Sequence, residues 1–230
     1  MSKQFSNRKR CNNRGQSFVE LALVVLILAL MLAGVVEFGF LLNQYLKVLD
    51  STREGARYAG SGVAFEWDDS SGTYVSRQDF YEAVTLEAIN IMSSTIRLNG
   101  NVGDNIVISV FTVGGPSNPT IVRWPEGEAF GWNLCENSTD TNIMPPPEQT
   151  ARWNSCAAWV VKTRSKFTTD QVLNRMIAGA PGAGLVLVEV FYNYPQLLKL
   201  PVFEQMIPDP ILVYAYSFMP LASAQPTPGP

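Results

Sequence analysis

The sequence predicts an α+β chain: an N-terminal transmembrane helix continuing into a long helix, then a small, mainly antiparallel sheet domain with one or two packed helices. Three observations predict it. An apolar run without a polar side chain fills Leu21 to Val36, helical spacing of apolar residues persists well beyond it, and β-branched segments gather in the second half of the chain. Helices first and strands later is the order of an α+β domain.

The membrane segment is read from Phe18 to Leu42, with Glu37 inside it. About 20 helical residues at ~1.5 Å each cross a hydrocarbon core of about 30 Å, so the segment is long enough to span. Before it stand Lys3, Arg8, Lys9, Arg10 and Arg14 and no acid. Basic residues beside a membrane segment stay on the cytoplasmic side, which places the N-terminus inside and the chain after about Asn43 outside. A cleaved secretory signal is the alternative, but its apolar region runs only ~7–15 residues. Glu37 lies deep enough in the apolar segment to need a partner or a water-accessible position.

Beyond the membrane, Leu42, Tyr45, Leu46, Leu49, Thr52, Arg53, Ala56 and Ala59 recur at three- and four-residue spacing. One helix is therefore expected to leave the bilayer and stop near Gly60 or Gly62, its stripe packing on the downstream domain or on neighbouring copies. Phe65 to Gly72 reads as a solvated turn. A second helix is expected after a Ser76 cap, with Phe80, Ala83, Val84, Ala88, Ile91 and Met92 as its apolar face and Asn99-Gly100 as its end.

Strands are expected at Asn105–Val113, Thr120–Trp124, Ala157–Lys162, Leu185–Tyr194 and Ile211–Phe218. Pro125 to Thr150 reads as a long loop, Thr169-Asp170 as the start of a short helix ended by Gly179-Ala180-Pro181-Gly182, and the Pro- and Ala-rich end from Pro220 as a disordered tail. The domain plan is 1–15 basic leader, 16–60 transmembrane and emergent helix, 61–219 extracytoplasmic α+β domain, 220–230 tail.

Charge and composition narrow the function classes. The chain carries 17 basic and 20 acidic side chains, and the five basic residues of the tail leave 12 against 20 in the remainder, a formal charge of −8. Nucleic-acid binding would call for the opposite sign. There is no histidine, which removes the commonest general base and metal ligand, so neither an enzyme nor a cofactor or metal site is expected. Asp68-Asp69 lacks the ligand count of a calcium loop. Cys11 lies in the inside tail, whereas Cys135 and Cys156 read as a disulfide in an oxidising compartment, with two buried free thiols as the alternative. The sequon Asn137-Ser138-Thr139 is assigned no function.

Arg14-Gly15-Gln16, then Val19-Glu20, the apolar run, Glu37-Phe38-Gly39, and Arg53-Glu54-Gly55-Ala56-Arg57-Tyr58-Ala59 together resemble the TadE-like family of the tight-adherence (Flp-type) pilus system. Val188-Glu189-Val190-Phe191-Tyr192-Asn193-Tyr194-Pro195 resembles the family's closing strand. The resemblance implies a pseudopilin or minor pilus component in a bacterial cytoplasmic membrane, with a prepilin peptidase, other pilin-like subunits and an assembly platform as partners. It makes Gly15-Gln16 the candidate processing site and Glu20, fifth residue of the chain so produced, the candidate assembly contact. Leu21 follows where major Flp-type pilins carry an aromatic residue, and a sizeable domain is attached, so the major pilin itself is not implied. On residues alone, Glu20 also reads as an interfacial carboxylate favoured by the helix dipole, and Arg53, Glu54 and Arg57 as surface pairs. A membrane-tethered binding or adhesion domain, using Trp132 and Trp153 beside the cysteine loop, is the rival function.

Overall fold

The structure, a computed structural model, describes residues 14–113, 121–125, 130–137, 164–175, 184–199 and 207–221. The chain divides into two compact units, Met1–Phe40 and Leu41–Pro230.

The first unit is the apolar part of helix α1 (Arg14–Gly60), which is continuous through both units. Leucine, alanine and methionine form helices well, and Gly34 and Gly39 are the breaks in an otherwise favourable composition. From Ser17 onward the helix is long and apolar enough to cross a membrane, and its most apolar stretch has no buried residue. Large side chains such as Phe18, Leu26, Met31 and Leu32 are exposed around it. Glu37 is half-buried and has an interaction partner, as its depth in an apolar segment requires.

The second unit is built on one antiparallel sheet. Its strands are β3 (Asn105–Val113), β4 (Ile121–Trp124), β5 (Trp132–Asn133), β6 (Gly184–Tyr194) and β7 (Ile211–Leu221). The order is β4-β3-β6-β7, with β5 also on β3, and Ile108 faces Val188 while Val188 faces Ser217. Helix α2 (Gln78–Met92) and the 41–60 part of α1 share one core with Ile106, Ile108, Val110, Val186, Val188 and Val190. On the opposite face Phe111 and Leu187 pack with Phe167 and Val172, the latter on the short helix α4 (Thr169–Leu173). Thr168 caps α4 and Gln171 returns the bond to the Thr168 backbone, a reciprocal capping box. A further short helix, α3, covers Leu134–Asn137.

Several expectations need correction. The emergent helix ends at Gly60 as expected, but its buried line is Val48, Ser51, Thr52, Gly55, Ala56 and Ala59, while Leu42, Tyr45, Leu46 and Arg53 are exposed. Small residues win the inward positions because the helix lies close to its neighbours. A Cβ at Gly55 would stand 3.4 Å from the Ala88 Cβ and 3.7 Å from Val188 Cγ1.

The stretch read as a turn is a hairpin, β1 (Phe65–Asp68) and β2 (Thr73–Ser76), with Asp68 to Gly72 at its tip. There the Asp68 carboxylate accepts from the Ser70 backbone at 2.9 Å and its hydroxyl at 2.6 Å, which lowers its pKa, and Gly72 supplies the φ of +66° that the turn needs. Ser76 closes β2 instead of capping α2, whose N-cap, Arg77, makes no side-chain capping bond. Helix α2 also stops at Met92, short of Asn99-Gly100, and buries Tyr81 and Thr85 in place of Ala83 and Ile91.

Strand β3 occupies the expected residues, and Ile121–Trp124 does pair with it. Strand β7 runs to Leu221, through Pro220, so the tail cannot begin at Pro220. Proline is tolerated there because β7 is an edge strand. Ala157–Lys162, Gly179–Gly182 and 222–230 lie outside the described residues.

Candidate functional site

Arg14 opens α1, so the Gly15–Gln16 peptide lies in its first turn and Glu20 stands one turn after Gln16. Glu20 is exposed, between Phe18, which is 74% exposed, Val19 and Leu21. It is the one ionisable side chain between Arg14 and Glu37 in the sequence. This presents a carboxylate on an apolar cylinder, where any membrane partner of opposite charge gains strongly from meeting it.

The other sequence-selected residues fall apart from this stretch. Arg57 donates from Nε to Glu54 Oε2 at 2.7 Å on the exposed side of α1, a one-turn surface pair worth little to stability. Cys135, in α3, is disulfide-bonded, while Cys156 lies outside the described residues, so their pairing stands as a proposal. Asp68 is committed to its turn, and among the described residues no group of three or more His, Cys, Asp or Glu side chains is placed to hold a metal ion.

Trp132 belongs to the core. It is 1% exposed, stacks on Tyr81 with ring centroids 5.9 Å apart, and donates from Nε1 to Gln78 Oε1 at 3.2 Å. Its neighbour Gly131, at φ +84°, is fixed by close approach: a Cβ there would run into Ser109 Oγ and the Ile108 carbonyl. Trp132 is thus removed from any partner-facing surface, and Trp153 lies outside the described residues.

Two buried carboxylates escaped sequence reasoning. Glu189, in mid-β6, is fully buried; its Oε1 accepts from the Tyr214 hydroxyl at 2.7 Å and from the Lys166 backbone at 3.0 Å, and its Oε2 has no hydrogen-bond partner. Burial raises its pKa against the pull of these donors and of Arg123. Arg123 donates from Nη2 to Ser165 Oγ at 3.1 Å and to the Phe167 carbonyl at 2.7 Å, with its guanidinium 4.8 Å from the Phe111 ring centroid. Burial lowers Arg123 to about 10. These bonds strap the 165–168 segment onto the second sheet face. A fully buried carboxylate offers no face to a substrate, so the cluster does structural work.

Asp104 does similar work at the other end of β3. Its Oδ1 accepts from Asn193 N at 2.7 Å and Nδ2 at 3.3 Å, and its Oδ2 from Asn99 N at 2.8 Å. Burial outweighs these donors and raises it to about 6. The available signal was a lone acid in an apolar strand, Val188-Glu189-Val190, which alternation alone assigns to solvent.

Compared with known proteins, residues 15–57 match the family described as TadE-like protein, which bears out the resemblance over about a fifth of the chain. No curated protein and no solved structure matches the chain. The matched segment begins at Gly15 and runs to Arg57, within α1.

Proposed function

We propose that this chain is a membrane-anchored, non-enzymatic pseudopilin or minor pilin that takes part in assembling a tight-adherence (Flp-type, type IV-like) pilus or related secretion apparatus. The observation that carries the reading is the TadE-like match over 15–57 on a single helix whose most apolar stretch has no buried residue and which bears Glu20 near its start. The helix is the anchor, the N-terminal tail faces the cytoplasm, and the sheet domain stands outside the cytoplasmic membrane.

In this reading a prepilin peptidase hydrolyses the Gly15–Gln16 bond. The new α-amine of Gln16 then lies four residues ahead of Glu20. In low dielectric, the amine of one subunit and the Glu20 carboxylate of a neighbour each lower the desolvation cost of the other. Glu20 is thereby the assembly contact, and other pilin-like subunits and the assembly platform are the partners. The Cys135–Cys156 bond would hold the insertion between β5 and α4.

The test is Glu20→Ala in the native host. Processing at Gly15 continues while incorporation into filament or basal complex falls sharply. Normal incorporation of the variant would refute the assembly role.

A further inference from the structure

Strand β7 forms one edge of the sheet, beyond β6, and β4 forms the other. An edge strand holds a row of backbone N–H and C=O groups without a partner in the sheet, a template for a further strand, and natural edges are blunted by shortness, charge, proline or a bulge. β4 is only four residues long and carries Arg123. β7 runs for 11 residues without a charged side chain, and its one proline, Pro220, stands next to last.

Two observations fix which residues of β7 face outward. Successive residues of a strand send their backbone groups to opposite sides. Asn193 N bonds to Asp104 Oδ1 at 2.7 Å, on the β3 side of β6, so the even-numbered residues of β6 turn toward β7. Through the pairs Val188↔Ser217 and Val190↔Ala215, the odd-numbered residues of β7 then bond to β6 and the even-numbered ones face away. Pro220 agrees, because proline has no N–H to give a ladder and takes an outward position. Leu212, Tyr214, Tyr216 and Phe218 therefore hold their N–H and C=O groups at the edge. Among the described residues no backbone hydrogen bond from outside the sheet reaches them.

The side chains of these residues say what would pair there. On the face away from α1 and α2, Tyr214, Tyr216 and Phe218 form a row with successive ring centroids 5.8 and 6.0 Å apart. Phe167 meets Tyr216 at 4.8 Å and Phe218 at 5.1 Å, yet Leu212 and Tyr216 stay 50% and 43% exposed. Two exposed cations border the row. Lys166 Nζ lies 4.0 Å from the Tyr214 ring centroid, and the Arg175 guanidinium 5.1 Å from that of Phe167. On this face Glu189 is buried, and α4 adds one exposed acid, Asp170.

We propose that the β7 edge accepts an extended segment of a partner polypeptide as a further strand of the sheet, one that sets carboxylates at alternate residues beside Lys166 and Arg175. The backbone row supplies affinity, and the aromatic face with its two cations supplies selection. The proposal needs neither processing at Gly15 nor the contact at Glu20.

The test is residue-resolved hydrogen exchange of the full chain in detergent micelles, with and without a short peptide of alternating valine and glutamate. In the chain alone the amides of Leu212, Tyr214, Tyr216 and Phe218 exchange fast, and those of Val213, Ala215 and Ser217 slowly. The peptide slows the first set several-fold and leaves Ile121–Trp124 unchanged. It acts more weakly when lysine replaces its glutamates or proline its central residue. If the first set is already slow in the chain alone, the chain covers its own edge and the proposal is overturned. Slowing no greater than at Ile121–Trp124, or equal slowing by the lysine or proline peptide, overturns it as well.

Discussion

The two halves of helix α1 differ in what surrounds them, although their backbones are alike. From Ser17 to Phe40 large aliphatic side chains cover the helix and stay exposed, whereas from Val48 to Ala59 the inward positions are filled by serine, threonine, glycine and alanine packed on a core. Wide exposure of leucine is stable only in a solvent that is itself apolar, and small residues are needed only where another element comes close. One helix therefore presents two kinds of surface, an apolar one left open first and one packed on protein second.

Substitutions that separate the two halves should give the largest effects. Leu28→Arg puts a cation near the middle of the apolar run, expected to cost about 2.5–3.5 kcal/mol of membrane insertion, read by carbonate extraction, with the domain still folded. Gly55→Leu should do the reverse, destabilising the domain by about 1–3 kcal/mol or more through overpacking against Ala88 and Val188. Gly39→Leu, with nothing within 4 Å of its Cβ, is the matched control and should leave domain unfolding unchanged. Equal loss of stability from both glycine substitutions would erase the distinction.

Acidity acts on the domain half through two buried carboxylates. Asp104 is raised from 3.8 to about 6, so the folded state holds a proton in that interval which the unfolded state has lost. The associated stability is fully present below pH 3.8 and lost as pH rises through about 6; Glu189, also raised by burial, adds to the same slope. Urea midpoints of the detergent-solubilised chain should fall over this window, and Asp104→Asn should flatten the fall.

Smaller effects follow within the second half of α1. Ser51→Ala removes the buried bond from Ser51 Oγ to the Ala88 carbonyl at 2.9 Å and should cost about 1 kcal/mol in denaturant unfolding. Arg57→Ala, which breaks the exposed pair with Glu54, should shift the midpoint by at most about 0.5 kcal/mol.

The same contrast explains what the sequence disclosed. The apolar run was legible from its length without a polar side chain, and strands β3 and β6 from their β-branched residues. The inward line of α1 was legible in part: Thr52, Ala56 and Ala59 of the expected stripe are buried, but a hydrophobicity pattern also points to Leu42, Tyr45 and Leu46 where close packing selects Ser51 and Gly55. The β1–β2 hairpin was hidden by Glu66, Asp68 and Asp69, which read as a turn, although Phe65 and Trp124 meet edge-on at 4.9 Å beneath it. The burial of Glu189 does not show in the alternation along β6, which does not register a second covered face; the Phe167–Val172 cluster reveals that cover.

The candidate site itself is a reading from sequence. Arg14-Gly15-Gln16 and Glu20 are a local pattern on one helix, so no long-range contact was needed to find them. The buried Asp104 and Glu189 depend on residues far apart in the chain and could not be found that way.

The central claim is that the chain is processed at Gly15 and assembled through Glu20. Mass spectrometry of the mature N-terminus, from cells with and without the candidate prepilin peptidase, tests it most directly. The account predicts a terminus at Gln16 that disappears with the peptidase; an intact Met1 or Ser2 in its presence, or a cut beyond Gly34, would contradict it.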